Sequence, residues 1–370
     1  MDIWNIPELR HRRQAKVLLL VCALTFCLLL SSCQLPGNNA VTKTDTQIPV
    51  SATKPAIPTT LEEQGQMQLQ TFQQWMNVMK QNGGDITSYQ QQYTSDQQAL
   101  QNAKTEDAYT TALATTTTHV DVIQLPAMRT EAKYLQQKLS KQVADWGQQH
   151  TYHDDYDNKN YPLNNSYGDA GIGSWVKDDL SSAKTVADYQ QAIENLNMYL
   201  LNFQAMTIDA QDQAVFDQPH QSDTQLIKQY GRENKKVIVV SLYEQAMRIY
   251  DDGKLVKAFK VTTGRPERPS PPGSWWVEGK QTNITFHSSD PKGSPFWYAD
   301  THINYALPFH SGGYFIHDSW WRADYGFGTN FPHPDSSGEN LGSHGCINLP
   351  TDQVKWIYNF VQLYTGVIVY

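Results

Sequence analysis

The chain has 370 residues, a formal net charge of −8, 18% charged and 39% hydrophobic residues. That length supports two or three domains with at least one packed core. Its polarity lies in Gln, Asn, Thr and Tyr rather than in charge, and the acidic balance lacks the basic footprint of a nucleic-acid binder, so no nucleic-acid partner is expected.

Arg10, Arg12, Arg13 and Lys16 precede an apolar run from Val17 to Leu30, which ends at Ser31-Ser32-Cys33. Charge, apolar core and small residues in that order read as an export signal. The small pair before Cys33 resembles a bacterial lipobox, in which that cysteine is lipidated. The alternative is an uncleaved anchor. Extended to Leu35, the run has 19 residues, enough to span a bilayer. Under either reading of residues 1–33 the remainder lies outside the cytoplasm, anchored to the membrane. Residues 34–60 carry Pro36, Pro49, Pro55 and Pro58 among small polar residues. Such a stretch cannot bury enough apolar surface to fold. It reads as a flexible linker that reaches on the order of 30 Å as a coil.

Residues 61–231 read as an all-α helical bundle. Met67, Phe72, Trp75, Met76 and Met79 form one stripe at helical spacing; Tyr134, Leu135, Leu139, Val143 and Trp146 form a second; Ile193, Leu196, Tyr199, Leu200 and Phe203 form a third. An internal repeat stands at an offset of 80 residues: Leu100, Ala103, Lys104, Thr105, Tyr109 and Ala112 match Leu180, Ala183, Lys184, Thr185, Tyr189 and Ala192. The expected role is a spacer or docking module, with the aromatic stripes as core. Between the two units, His150 to Gly173 is dense in Asp, Asn, Tyr and Gly. Lys159 falls where a calcium loop needs an oxygen ligand, so this segment is expected to be a solvated connection.

Residues 235–370 change texture to a mainly-β domain with one helix. Val237 to Leu242, Ala246 to Tyr250 and Leu255 to Thr262 read as strands, with a hairpin turn at Asp251 to Lys254. Trp275 to Val277 is strand-like, and Gly312 to Asp318 is a strand ending at a histidine. Thr351 caps a helix expected to reach Tyr364, and Val367 to Tyr370 closes the domain.

Four cysteines are present: Cys22, Cys27, Cys33 and Cys346. Only Cys346 lies beyond the N-terminal segment. A lone thiol in an oxidising space is either a small buried hydrophobe or a reactive group. Its neighbours favour chemistry. A catalytic thiol needs an imidazole to take its proton, backbone donors for the oxyanion and a third group to orient the imidazole. Gly345 permits a sharp turn and close substrate approach, and the N–H groups around Gly345 and Cys346 are natural oxyanion donors. Ser343 and His344 adjoin them, and Asn348 can brace the loop. His317, at a strand end, is the preferred base over His344 and His333.

Residues 235–370 resemble the YkuD-like L,D-transpeptidase catalytic domain. The resemblance rests on His317 and Ser343-His344-Gly345-Cys346-Ile347-Asn348, supported by Ile238 to Leu242 with Gln245, Gly253-Lys254, Thr263-Gly264 and Ser270-Pro271-Pro272-Gly273. The 25-residue spacer from 318 to 342 is longer than the family's usual mid-teens and reads as an enlarged lid. The resemblance implies a cysteine thioester, release of D-Ala and a 3→3 cross-link between peptidoglycan stem peptides. It implies that the Asp318 carbonyl orients His317 and that His344 helps shape the oxyanion site. Trp297, Tyr298, Tyr305, Phe309 and Trp320 are candidate substrate-binding aromatics. No cofactor is implied, and no zinc-type spacing surrounds the histidines. The alternatives are a carboxypeptidase, in which water ends the thioester, and a non-catalytic wall-binding module. The sequence names no protein partner.

Overall fold

The computed structural model describes residues 57–336 and 342–370. The expected signal or anchor at 1–33, with Cys33, lies outside the described residues, as does the linker up to residue 56. Among the described residues no helix is long and apolar enough to cross a membrane.

Helix α1 (Thr59–Gln81) begins two residues before the expected start of the bundle at residue 61, with Pro58 at its N-cap. Proline is tolerated there because its missing N–H has no helical partner at that position. With α2 (Thr87–Asn102) and the first half of α3 (Glu106–Gln149), α1 encloses two small cores. Phe72, Met76, Val120 and Ile123 form one; Leu69, Leu100 and Tyr109 form the other. Gly65 permits the close approach of α1 and α3, since a Cβ there would lie 2.2 Å from the Tyr109 hydroxyl. Met67 and Tyr134, placed on the apolar stripes above, are exposed. Adjacent helical residues point about 100° apart, so Tyr134 and Leu135 cannot share a face, and Leu135 takes the buried one. Both matched segments of the internal similarity lie at helix joints. Ala103 and Ala183 end one helix, and Thr105 and Thr185 cap the next by accepting from the backbone N–H three residues on.

The segment from His150 to Gly173 is folded rather than a solvated connection. Strands β1 (Thr151–Asp154) and β2 (Lys159–Pro162) pair as an antiparallel hairpin. Asp154 and Tyr167 are buried. The cause is tertiary: Tyr152 stacks on Phe331 at 4.6 Å and Tyr161 packs on the same ring at 5.3 Å. Nothing local announces a partner so far along the chain.

Helices α4 (Ile172–Ser182), α5 (Val186–Asp209) and α6 (Gln221–Gln229) lead into the β domain. Its strands are β3 (Val237–Ser241), β4 (Ala246–Asp251), β5 (Lys254–Lys260), β6 (Gly273–Trp276), β7 (Gln281–Phe286), β8 (Thr301–His310), β9 (Tyr314–Asp318), β10 (Ile347–Leu349) and β11 (Gly366–Val369). One sheet runs β5-β4-β3-β11-β6 and the other β10-β9-β8-β7. Helix α7 (Thr351–Phe360) stops short of Tyr364, because Val361 turns extended and buries its side chain in the core.

Strand β3 is buried along its whole length, as expected of a strand covered on both faces. Ile238 and Val240 join Leu307, Phe309 and Ile316 in the core between the sheets. Val237 and Val239 join Leu139, Trp146, Phe203 and Leu226 of the helices in a second core. The later helices and the β domain therefore share packed interior.

A buried polar network crosses that boundary. Arg248, fully buried, donates to Asp223 Oδ2 (2.5 Å) and also to Glu244. Asp209 accepts from Ser222 (3.0 Å) and Ser241 (2.6 Å) and lies 2.7 Å from His220 Nδ1. Burial alone would raise the Asp209 carboxyl, but the His220 hydrogen bond and Arg248 charge hold it below the usual range. Burial would likewise lower His220, but the Asp209 hydrogen bond raises it overall. The His220 contribution to stability is therefore complete below about pH 6.5 and is lost as pH rises through its raised folded value. That of Asp209 is complete above about pH 3.9 and is lost as pH falls through its depressed value. Asp223→Ala, which strands a buried guanidinium, should destabilise the fold by about 3–5 kcal/mol in denaturant unfolding. His220→Asn should flatten the loss of Tm on going from pH 6 to pH 8.

Candidate active site

The site is built on the parallel pairing of β9 with β10, which sets Ile347 beside Ile316, Asn348 beside His317 and Leu349 beside Asp318. Cys346 immediately precedes β10 and is half-buried and free. Its Sγ lies 3.9 Å from the Gly313 carbonyl in the turn between β8 and β9.

The loop before Cys346 is held from inside and outside. Ser343 Oγ donates to the Cys346 carbonyl (2.5 Å) and accepts from Gly345 N–H (3.0 Å). Ser270 Oγ donates to the Gly345 carbonyl (2.7 Å) and accepts from Gly264 N–H (3.0 Å). Gly345 has φ +112°, and a Cβ on it would sit 2.5 Å from the Tyr314 ring. Only glycine fits both conditions. Because its N–H is committed to Ser343, Gly345 shapes the loop, and of the two expected oxyanion donors the Cys346 N–H is the one left over.

His317 is almost fully buried. Its Nδ1 lies 2.9 Å from the Asp318 carbonyl and its Nε2 lies 3.0 Å from Asn348 Nδ2. With Nδ1 as donor, Nε2 accepts from the Asn348 amide. Asn348 in turn accepts from Arg322 Nε (3.2 Å) of the long loop. The Asp318 carboxylate is anchored by Asn304 (2.6 Å), Thr351 (3.1 Å) and the Tyr305 N–H (2.8 Å). Burial lowers the His317 imidazole to about 4, opposed by the Asp318 carbonyl bond. His344 also falls to about 4, through burial and then the charge of Arg265, which donates to its Nε2 (2.9 Å). Burial raises the Cys346 thiol to about 11, opposed by the Phe315 N–H. At neutral pH the resting site thus pairs a neutral thiol with neutral imidazoles.

The candidate aromatics divide. Tyr298 packs on His344 at 5.1 Å, and burial, followed by the charge Cys346 carries once ionised, raises its phenol. Trp297 is 39% exposed, with Lys292 over its ring. Trp320 is 61% exposed and donates from Nε1 to the His302 carbonyl. Tyr305 packs on Tyr358 of α7. Phe309 is fully buried in the core between the sheets. His333, the rival base, faces Asp154 of the β1–β2 hairpin at 3.7 Å. Sequence reasoning missed Tyr314, Ser270 and Arg265 as parts of the site. Tyr314 and Ser270 stood inside quoted segments and Arg265 directly after one, but only the fold brings them onto the Gly345 loop.

Among the described residues, one trio has metal-ligand spacing: Asp209, His220 and Glu244. Arg248 contacts Glu244 and lies 3.6 Å from Asp209, so the cation at this spot is the protein's own guanidinium.

Residues 235–369 match the YkuD family model, the L,D-transpeptidase catalytic domain. The YkuD-like region is 34% identical over 112 residues to probable L,D-transpeptidase 3 of Mycobacterium tuberculosis, covering 30% of this chain and 37% of that protein. It is 25% identical over 128 residues to L,D-transpeptidase 1 of the same organism, covering 34% of this chain and 46% of the relative. The chain thus spans less than half the length of these curated relatives. A crystal structure of an Enterococcus faecium L,D-transpeptidase aligns at 31% identity and a TM-score of 0.31, covering 37% of this chain and 50% of that one.

Gly345→Ala should reduce Cys346 acylation at least about 100-fold and also lower the thermal transition, since the strained backbone and the Tyr314 clash together cost on the order of 1–3 kcal/mol, measured by mass spectrometry and calorimetry. In the free protein, iodoacetamide alkylation of Cys346 should keep rising with pH beyond 9; a plateau already reached near pH 7 would mean a pre-formed thiolate–imidazolium pair.

Proposed function

We propose that this protein is a cysteine-dependent peptidoglycan L,D-transpeptidase that forms 3→3 cross-links between stem peptides. The observation that carries this reading is Cys346, set in its Ser-His-Gly-Cys-Ile-Asn loop beside the strand that bears His317, within the region matching the L,D-transpeptidase family model.

Cys346 Sγ attacks the carbonyl carbon between the third stem residue and the terminal D-Ala. The thiol proton goes to His317 Nε2, which requires Asn348 to release that nitrogen as substrate enters. The oxyanion meets the Cys346 N–H. The C–N bond then breaks, and D-Ala leaves with the proton carried by the imidazole. An amine of a second stem attacks the thioester, and the sulfur leaves as the thiol. The imidazole is neutral at rest and its Nε2 lone pair can take a proton, but burial makes it a weak base and the thiol a weak acid, so proton transfer is uphill alone and is coupled to the attack on the carbonyl.

Residues 1–33 are proposed to export the chain and hold it at the membrane, facing the wall, through Cys33 as a lipid anchor or as an uncleaved span. Fatty-acid label on the wild type and none on Cys33→Ala would identify the lipid form.

Incubation with a tetrapeptide-stem muropeptide should yield a dimer lacking one D-Ala by mass spectrometry, and Cys346→Ala should yield none. Tripeptide monomer alone would identify a carboxypeptidase instead. Binding without either product would identify a wall-binding module. His317→Ala should lower thioester formation by about 10²- to 10⁴-fold.

A further inference from the structure

The turn that faces the nucleophile is intrinsically loose. It contains Gly312 and Gly313, the second at φ +83°, and two consecutive glycines give the backbone the widest conformational freedom it can have. Yet this turn must hold the Gly313 carbonyl 3.9 Å from Cys346 Sγ and press the Tyr314 ring against Gly345. Its restraint comes through His310. The imidazole Nδ1 accepts from Gly312 N–H at 3.0 Å, and the His310 carbonyl accepts from Gly313 N–H at 3.2 Å.

His310 is itself held between two indoles. Trp275, from the β domain, meets it edge-on at 4.4 Å. Trp175, from helix α4 of the helical region, stacks on it at 5.3 Å with the planes 21° apart. Trp175 also reaches the Tyr314 ring at 6.1 Å. Aromatic pairs at these separations are favourable beyond their buried area. A residue 171 positions before the nucleophile therefore closes a chain of contacts that ends on it: Trp175, His310, the Gly-Gly turn, Cys346.

We propose that Trp175 is a positioning residue of the catalytic site, acting through His310 on the Gly312-Gly313 turn, so that the helical region is a working part of the site as well as a spacer. The chemistry it serves rests on the functional reading above, but the restraint on the thiol does not. The Gly313 carbonyl accepts the S–H, which favours the protonated thiol against the opposing Phe315 N–H. Loosening the turn should therefore make Cys346 easier to ionise while spoiling its alignment for attack.

The test uses the full chain with Trp175→Ala, Trp175→Phe, His310→Ala and the Trp175→Ala/His310→Ala double variant. Iodoacetamide alkylation of Cys346 against pH reads the thiol whatever the substrate, and muropeptide turnover reads the chemistry. For Trp175→Ala we expect the alkylation midpoint to move to lower pH, kcat to fall at least tenfold and KM to change less than threefold, with Tm lowered by the lost packing but the fold retained. Trp175→Phe, which keeps a stacking ring, should recover kcat to within threefold. The double variant should be no worse than either single one, because both act through one turn. An unshifted alkylation profile in both Trp175→Ala and His310→Ala would overturn the inference. So would additive losses, or a kcat loss in Trp175→Ala that Trp175→Phe does not recover. Absence of turnover in the wild type, with the alkylation shifts present, would instead overturn the functional reading alone.

Discussion

Three residues of parallel pairing between β10 and β9 set the geometry of the candidate site. Parallel strands cannot be joined by a tight turn, so the connection from Asp318 to Ile347 is long, and Cys346 rides at its end. The same pairing places Asn348 opposite His317, and the two share a hydrogen bond on the imidazole's Nε2. With Nδ1 fixed on the Asp318 carbonyl, the tautomer is decided by the backbone. His317, Asn348 and Cys346 thus take their places from one register. A one-residue slip would turn each of them to the other face of the sheet.

The long connection has a second consequence. Its length lets Phe331 reach back to Tyr152 and Tyr161 of the β1–β2 hairpin, while Arg322 holds Asn348. The loop is therefore fastened at one point to the helical region and at another to the site. Trp175 reaches the opposite side of the nucleophile by way of His310. Together with the core shared by α3, α5, α6 and the five-stranded sheet, these contacts make the helices after Leu135 inseparable from the β domain. The bundle of α1, α2 and the first half of α3 keeps its own small cores, and α3 runs through both.

The electrostatics follow from the same burial. Desolvation raises the thiol and lowers both imidazoles, so the resting site stores no ion pair. Across the helix–sheet boundary the opposite choice is made: Arg248 is buried with Asp223, Asp209 and Glu244 around it. A buried guanidinium is tolerable only with such partners, and they come from α5, α6 and the segment between β3 and β4. This network ties the helices to the sheet in one orientation.

Local pattern sufficed where each residue's role depends on its near neighbours. The three helical stripes, the apolar β3 run, the Asp251-to-Lys254 turn and the Ser-His-Gly-Cys-Ile-Asn motif could all be read from the chain, because periodicity, turn chemistry and a short loop are short-range properties. Tyr134 was misplaced because a stripe does not say which of two adjacent apolar residues faces inward, and Met67 because its five-residue spacing to Phe72 turns it about 140° away from the buried face. Other features depend on partners far along the chain. Tyr152 and Tyr161 looked like solvated connection residues until Phe331 reached them; Phe309 looked like a pocket residue until the two sheets closed over it. Tyr314, Ser270 and Arg265 gain their roles only from what packs on Gly345 and His344. That Cys346 is a nucleophile candidate was written in six consecutive residues. That its surroundings keep it a protonated thiol, with an indole from the helical region steadying the turn beside it, was decided by tertiary packing, because burial and stacking are properties of neighbours that the chain brings together only when folded.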